Sequence, residues 1–226
     1  MKSLVSFFSL MLLKGLANIF YRFRIGWPKD DKIIWNDVRL IIFLNHTSLF
    51  ELLYIGFLPT SFIRMLSKRM LLPVATKTLD RPIVGSIFRI FSPGSPPLTR
   101  KRDDSWQHFL DSIHPDSIIV IAPEGRMMRK NGLDVDGNKM NVKPGVVDIL
   151  NTLTTGQVVF AYSGGLHHVQ VPGEGWPRIF KTLKMDIEVC DISTYKSSFP
   201  EPVGSHKWKT LIMHDLQQRL ETKPPR

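Results

Sequence analysis

Cysteine is almost missing from this chain. Cys190 stands alone, which excludes an intrachain disulfide and leaves the redox compartment open. No Walker-type and no dinucleotide glycine loop occurs, so neither of those nucleotide sites is expected. His167 and His168 have no Cys or His partner at metal spacing, and no metal site is expected. Asp134-Val135-Asp136-Gly137-Asn138 is a poor calcium loop: its glycine is misplaced, Gly145 stands where the closing Glu belongs, and it reads as a turn. Internal repeats and low-complexity tracts are absent. Acid is scarce, with 20 Asp/Glu against 30 Lys/Arg.

What is present is an ordinary globular composition. The 226 residues are 43% hydrophobic and 22% charged, the range of a single domain with attachments. A chain of this length buries about 70% of its unfolded surface. The excess positive charge is uneven. Residues 1–110 hold 16 Lys/Arg against 7 Asp/Glu, and residues 111–226 hold 14 against 13. Such a field points to phosphate-bearing partners: nucleic acid, anionic lipid or a phosphorylated metabolite. A merely basic soluble surface is the plainer alternative.

The first 26 residues form a segment of their own, ahead of a domain over 27–226. Leu4, Phe7, Phe8, Met11, Leu12, Gly15 and Ile19 recur at helical spacing and build one apolar face. Lys2, Lys14, Arg22 and Arg24 sit at its edges or snorkel. Ser3–Tyr21 is barely long enough to span a bilayer and carries Lys14 near its middle. An interfacial helix is the favoured reading. A single span, a cleaved signal and a soluble packing helix remain open.

Beyond Trp27-Pro28, strands alternate with helices. Strands are expected over Val38–Leu44, Ser61–Leu66, Ser117–Ala122, Gln157–Tyr162 and Leu183–Ile192, with a short one starting at Leu98-Thr99. Helices are expected over Leu49–Phe57, Arg81–Phe91, Asp103–Ile113, Gly145–Leu153 and Trp208–Leu220. Lys130–Lys143 reads as a polar loop. This alternation predicts an α/β fold with a largely parallel central sheet flanked by helices. Sites in such sheets lie at the carboxyl ends of strands, and two of these ends carry unusual residues.

The first is Leu44-Asn45-His46-Thr47-Ser48-Leu49-Phe50-Glu51. His46 takes a proton near neutral pH, and a carboxylate on its other nitrogen fixes the tautomer and stabilises the imidazolium. Glu51 is placed to do this. Ser48-Leu49-Phe50-Glu51 also matches a capping box, in which Glu51 serves the helix instead. Both readings stand. The second is Pro123-Glu124-Gly125-Arg126-Met127-Met128-Arg129-Lys130. Gly125 permits a tight bend. Arg126, Arg129 and Lys130 form a cationic cluster suited to a phosphate, with Glu124 placed to orient an arginine. The alternative is a solvated loop with ordinary ion pairs.

Together, in this order, the two motifs resemble the glycerolipid acyltransferases of the 1-acylglycerol-3-phosphate acyltransferase type. His46 and Glu51 match that family's His, four residues, acid. Pro123-Glu124-Gly125-Arg126 matches its Pro-Glu-Gly segment with a following Arg. Leu98-Thr99-Arg100 resembles its intermediate block, and Lys143-Pro144-Gly145-Val146-Val147 the segment that opens the next helix. Glu51 stands where the phospholipid enzymes usually have Asp, and Arg126 comes one place early. The resemblance spans roughly residues 40–162.

It implies acyl transfer from acyl-CoA or acyl-carrier protein to the hydroxyl of a lysophospholipid, 1-acylglycerol 3-phosphate first among them. His46 would be the general base and Glu51 its partner. Arg100, Glu124, Gly125, Arg126, Arg129 and Lys130 would bind substrate. No cofactor beyond the thioester co-substrate and no nucleic acid is implied, and no nucleic-acid motif occurs. The family contains monotopic membrane enzymes, which fits the apolar N-terminal segment, an anionic membrane surface and a place on the cytoplasmic face. Another amphiphilic acceptor, or a non-catalytic lipid- or nucleic-acid-binding protein, are the alternatives. Cys190 reads as a small core residue.

Overall fold

The structure is a computed structural model that describes residues 2–28, 32–99 and 103–225. Its six-stranded sheet comprises β1 (Tyr21–Gly26), β2 (Val38–Leu44), β3 (Met70–Leu71), β4 (Ile118–Ile121), β5 (Gln157–Ser163) and β6 (Lys181–Asp191). The strand order is β1-β6-β5-β2-β4-β3. β3, β4, β2 and β5 run parallel, whereas β6 is antiparallel to β5 and parallel to β1. The fold is therefore mixed α/β with a mostly parallel sheet, as the alternating pattern predicts.

Both faces of the sheet are covered, which is why β2 and β4 read as near-continuous apolar runs. On β2, Leu40, Ile42 and Leu44 face one core with Phe160 of β5, while Ile41 and Phe43 face the other. The first core is closed by α5 (Ser105–Asp111), α6 (Gly145–Thr152) and α8 (His206–Thr222). Trp208, Ile212 and Leu216 of α8 are fully buried there at i, i+4 and i+8. The second core lies under α1 (Lys2–Phe20), a 3-10 helix at Leu49–Phe57 and α2 (Thr60–Arg69).

Two expectations need correcting. Residues 61–66 are not a strand but part of α2. Phe62, Ile63, Leu66 and Ser67 are buried, and that spacing is the stripe of a helix rather than an alternation. The N-terminal helix stops at Phe20, and the Tyr-Arg-Phe-Arg-Ile run after it is β1, an edge strand in register with β6. Its period-2 alternation was the available signal. Leu98 makes only an isolated bridge, to Ala75. Two short helices, α3 (Thr76–Leu79) and α7 (Ile192–Ser197), were not anticipated; α4 (Pro82–Phe91) follows α3.

By length and composition, α1 is apolar enough to cross a membrane. It is also sewn to the body. Ser6 donates to the Phe91 carbonyl at 2.9 Å, and Asn18 to that of Gly56 at 3.0 Å. The Lys14 amine donates to the carbonyls of Gly56 (3.1 Å) and Leu58, at the carboxyl end of the 3-10 helix. This turns the one charge in the middle of the helix inward, where a cation suits unpaired carbonyls. Phe7 and Met11 pack against the second core. Leu4, Val5, Phe8, Leu12, Leu16 and Ile19 are left bare on the outer side.

Candidate active site

β2 ends at Leu44, and the next residue turns sharply: Asn45 has φ of 67°. Asn tolerates this left-handed region better than most residues. The Asn45 side chain donates to the Ser163 carbonyl at the end of β5 (2.7 Å). His46 follows at the mouth of the sheet, its side chain partly open.

Glu51 resolves the two readings of its role by serving both. Its Oε1 accepts from the backbone N–H of Thr47 (2.6 Å) and Ser48 (3.2 Å) and from the Thr47 hydroxyl (3.1 Å). That is the capping box, completed by Phe50 N–H on the Ser48 hydroxyl at 3.2 Å. Its Oε2 is hydrogen-bonded to Nδ1 of His46. An ionised carboxylate there makes Nδ1 the protonated nitrogen and frees Nε2 to accept. Burial disfavours the charged imidazole, but Glu51, and Glu124 more weakly, outweigh it and raise the His46 pKa above its ordinary value.

Glu124, just after β4, is 2% exposed. Among the described residues it orients no arginine. Its Oε1 accepts from the backbone N–H of Asn45 (2.7 Å) and His46 (3.3 Å), so it clamps the turn that carries the histidine. Its Oε2 is buried with no hydrogen-bond partner among the described residues. Burial pushes its carboxyl up to about 7, against the opposing pull of the His46 charge and the two N–H groups. Met128 N–H donates to the His46 carbonyl (2.7 Å), a second tie between the two strand ends.

A pocket of about 450 Å³ opens beside this pair, within the range of small-molecule sites. His46, Ser48, Glu51, Thr99, Gly125 and Lys143 line it with polar or backbone groups, while Phe43, Leu49, Leu52, Leu72, Phe88 and Trp106 supply apolar wall. Gly125 has φ of 68°, which keeps a side chain off this lining.

The cationic cluster is only loosely joined to it. Arg126 pairs with Asp134 (3.0 Å) and with Asp136. Arg129 donates to the Pro172 carbonyl (2.7 Å). Lys130 is exposed. None of the three lines the pocket. Arg100 lies outside the described residues; its neighbour Thr99 is a lining residue. Among the described residues, the Lys or Arg that lines the pocket is Lys143, which opens the Lys-Pro-Gly segment. Its backbone N–H donates to the Pro123 carbonyl (2.8 Å), binding it to the strand end that carries Glu124. Among the described residues, no group of three or more His, Cys, Asp or Glu side chains is arranged to hold a metal ion.

No protein-family model and no curated protein matches the sequence. Among solved structures, the 1-acyl-sn-glycerophosphate (LPA) acyltransferase PlsC from Thermotoga maritima is similar, with a TM-score of 0.55 and 16% identity over 96% of this chain and 81% of that one. At this identity the likeness is one of fold. The architecture is PlsC-like, over nearly the whole chain.

Proposed function

We propose that the protein is a membrane-surface O-acyltransferase that moves a fatty acyl group from a thioester to the hydroxyl of a lysophospholipid. The observation that carries this is the His46–Glu51 pair at the mouth of a mostly apolar pocket, in a chain whose fold is similar to that of an LPA acyltransferase. The geometry supports the following chemistry. Nε2 of His46 takes the acceptor's hydroxyl proton as the oxygen attacks the thioester carbonyl carbon. Nδ1–H stays on Glu51, whose carboxylate balances the imidazolium. When the tetrahedral intermediate collapses, the C–S bond breaks and Nε2–H returns its proton to the leaving thiolate, so no covalent enzyme intermediate is needed. A positioned base of this kind contributes about 10²–10⁴-fold; holding both substrates in one pocket supplies more. The apolar wall suits an acyl chain, and Lys143 suits an anionic head group or a donor phosphate.

The membrane part of the reading rests on α1. A helix pinned along one side by Ser6, Lys14 and Asn18, with Leu4, Val5, Phe8, Leu12, Leu16 and Ile19 bare on the other, suits lying in a bilayer surface. The basic half of the chain suits an anionic leaflet on the cytoplasmic side. Acyl-CoA and acyl-carrier protein both remain suitable donors.

The capture of Arg126 by two aspartates favours a second reading within the same chemistry, an amphiphilic acceptor without a phosphate. The experiment is a labelled acyl thioester presented with lysophosphatidate, or with an uncharged monoacylglycerol, to wild type and His46→Ala. We expect turnover to fall by about 10²–10⁴-fold in the variant. Equal turnover by both proteins would remove His46 from its role, and the preferred acceptor separates the two readings.

A further inference from the structure

Away from the pocket, loop 171–180 leaves three large apolar side chains in water. Trp176 is 90% exposed, Phe180 70% and Ile179 45%. Both ends of the loop are tied. At one end Arg129 holds the Pro172 carbonyl (2.7 Å), and the pocket-lining Ser48 hydroxyl lies 3.5 Å from Gln170 Oε1. At the other, Phe180 N–H donates to the Phe20 carbonyl (2.7 Å), with the two rings 6.1 Å apart. The loop thus runs from the pocket mouth to the last turn of α1, where Ile19 is also bare.

Phe180 has φ of 59°, a region that a bulky side chain rarely occupies. Its ring gains little burial in exchange. Backbone strain that is kept at such a position marks a functional demand on where the side chain points. Arg178 and Lys181 are exposed on either side of Ile179-Phe180, and Arg178 is paired with Glu174 of the same loop (2.9 Å). A tryptophan and a phenylalanine flanked by cations, on a surface continuous with a bare apolar helix, have the composition of a membrane–water boundary.

We propose that loop 171–180 is a second lipid-contacting element, in which Trp176 and Phe180 enter the boundary of an anionic bilayer beside α1 and bring the pocket mouth against it. The inference rests on the membrane-surface reading above. A bilayer is the occupant because Phe180 extends the bare stripe of α1 through its contact with Phe20, Trp176 is bare on the same loop, and exposed Lys181 follows at its edge.

The test uses the full chain and vesicles of equal parts phosphatidylcholine and phosphatidylglycerol. Three proteins are sedimented with them: wild type, Trp176→Ser/Phe180→Gly and Phe8→Ser/Leu12→Ser. Glycine suits the φ of residue 180, so the loop variant keeps its unfolding midpoint. Its partition coefficient is expected to fall about tenfold or more. Brominated phosphatidylcholine is expected to quench wild-type tryptophan emission, and Trp176→Phe to lose most of that quenching. A loop variant that partitions like wild type, with the α1 variant lost, overturns the proposal and leaves the membrane reading standing. Undiminished quenching in Trp176→Phe also overturns it. Failure of wild type to bind these vesicles removes both.

Discussion

Glu124→Gln isolates the group on which the turn carrying His46 hangs. Glutamine keeps the shape of the side chain, and its carbonyl can still accept from the Asn45 and His46 N–H groups. It therefore mimics the protonated acid. In the wild type the folded-state pKa is about 7, against 4.5 for the free side chain. At about 1.4 kcal/mol per pH unit, ionising Glu124 in the fold costs about 3 kcal/mol. The sign follows from proton uptake. Between these two values the folded chain holds a proton that the unfolded chain has lost, so stability falls as pH rises. Below about pH 4.5 the contribution is fully present; above about pH 7 it is gone. The variant lacks this loss. Urea unfolding of both proteins at pH steps from about 5 to about 8 should show wild type falling relative to Glu124→Gln by up to about 3 kcal/mol. The same substitution removes a charge that raises the His46 pKa. The activity profile should accordingly shift to lower pH. Because the two groups are coupled, the inflections belong to the pair. Parallel stability curves, or a wild type that gains stability as pH rises, would refute the clamp as described.

Glu51→Gln should reduce kcat by about 10²–10⁴-fold, because a neutral amide cannot balance the imidazolium. Residual activity should also titrate at lower pH than wild type, since the carboxylate that raises the His46 pKa is gone; an unshifted pH–rate profile would count against the pair. Lys143→Gln should raise KM for lysophosphatidate by about tenfold, the loss of one charge-assisted contact, while leaving KM for a monoacylglycerol unchanged. If both constants move together, Lys143 does not read the phosphate. Lys14→Met takes the ammonium donor from the Leu58 carbonyl and leaves the Gly56 carbonyl to Asn18 alone, and it should destabilise the chain by about 1–3 kcal/mol in denaturant unfolding. No loss there would mean that water or Asn18 takes over the cap.

Much of the fold was legible because its signals are local. β2, β4 and β5 are apolar runs bounded by turn residues, and α8 carries its buried residues at i, i+4 and i+8. What was lost was lost to competing local patterns. The apolar helix ahead of Tyr21 masked the alternation of β1, and the β-branched and aromatic content around Phe62-Ile63 masked the helical stripe of α2. The site divides in the same way. His46 and Glu51 are five positions apart and meet across one turn, so spacing alone brings them together. Glu124 reaches Asn45 across 79 positions, a contact set by the register of β2 against β4, which no short motif encodes. The capture of Arg126 was the nearer miss. Asp134 and Asp136 lie eight and ten positions on, around a glycine turn that folds them back on the arginine.

The arrangement divides the labour between two buried carboxylates. Glu51 is saturated, with donors on both oxygens, and its charge is spent on the ring and on the start of the 3-10 helix. Glu124 is half satisfied and holds only backbone. The imidazole is aimed less by its own packing than by a strained turn anchored from three strands: Glu124 after β4, the Ser163 carbonyl on β5, and β2 itself. Held this way, His46 lines the pocket with its side chain partly open. His46 and Glu124 both have pKa values displaced upward, His46, in spite of burial, chiefly by Glu51, and Glu124 by burial. Because Glu124 holds the backbone of Asn45 and His46 and is pushed up to about 7, its ionisation acts on the turn that carries the imidazole, and that coupling follows from where β2 and β4 end.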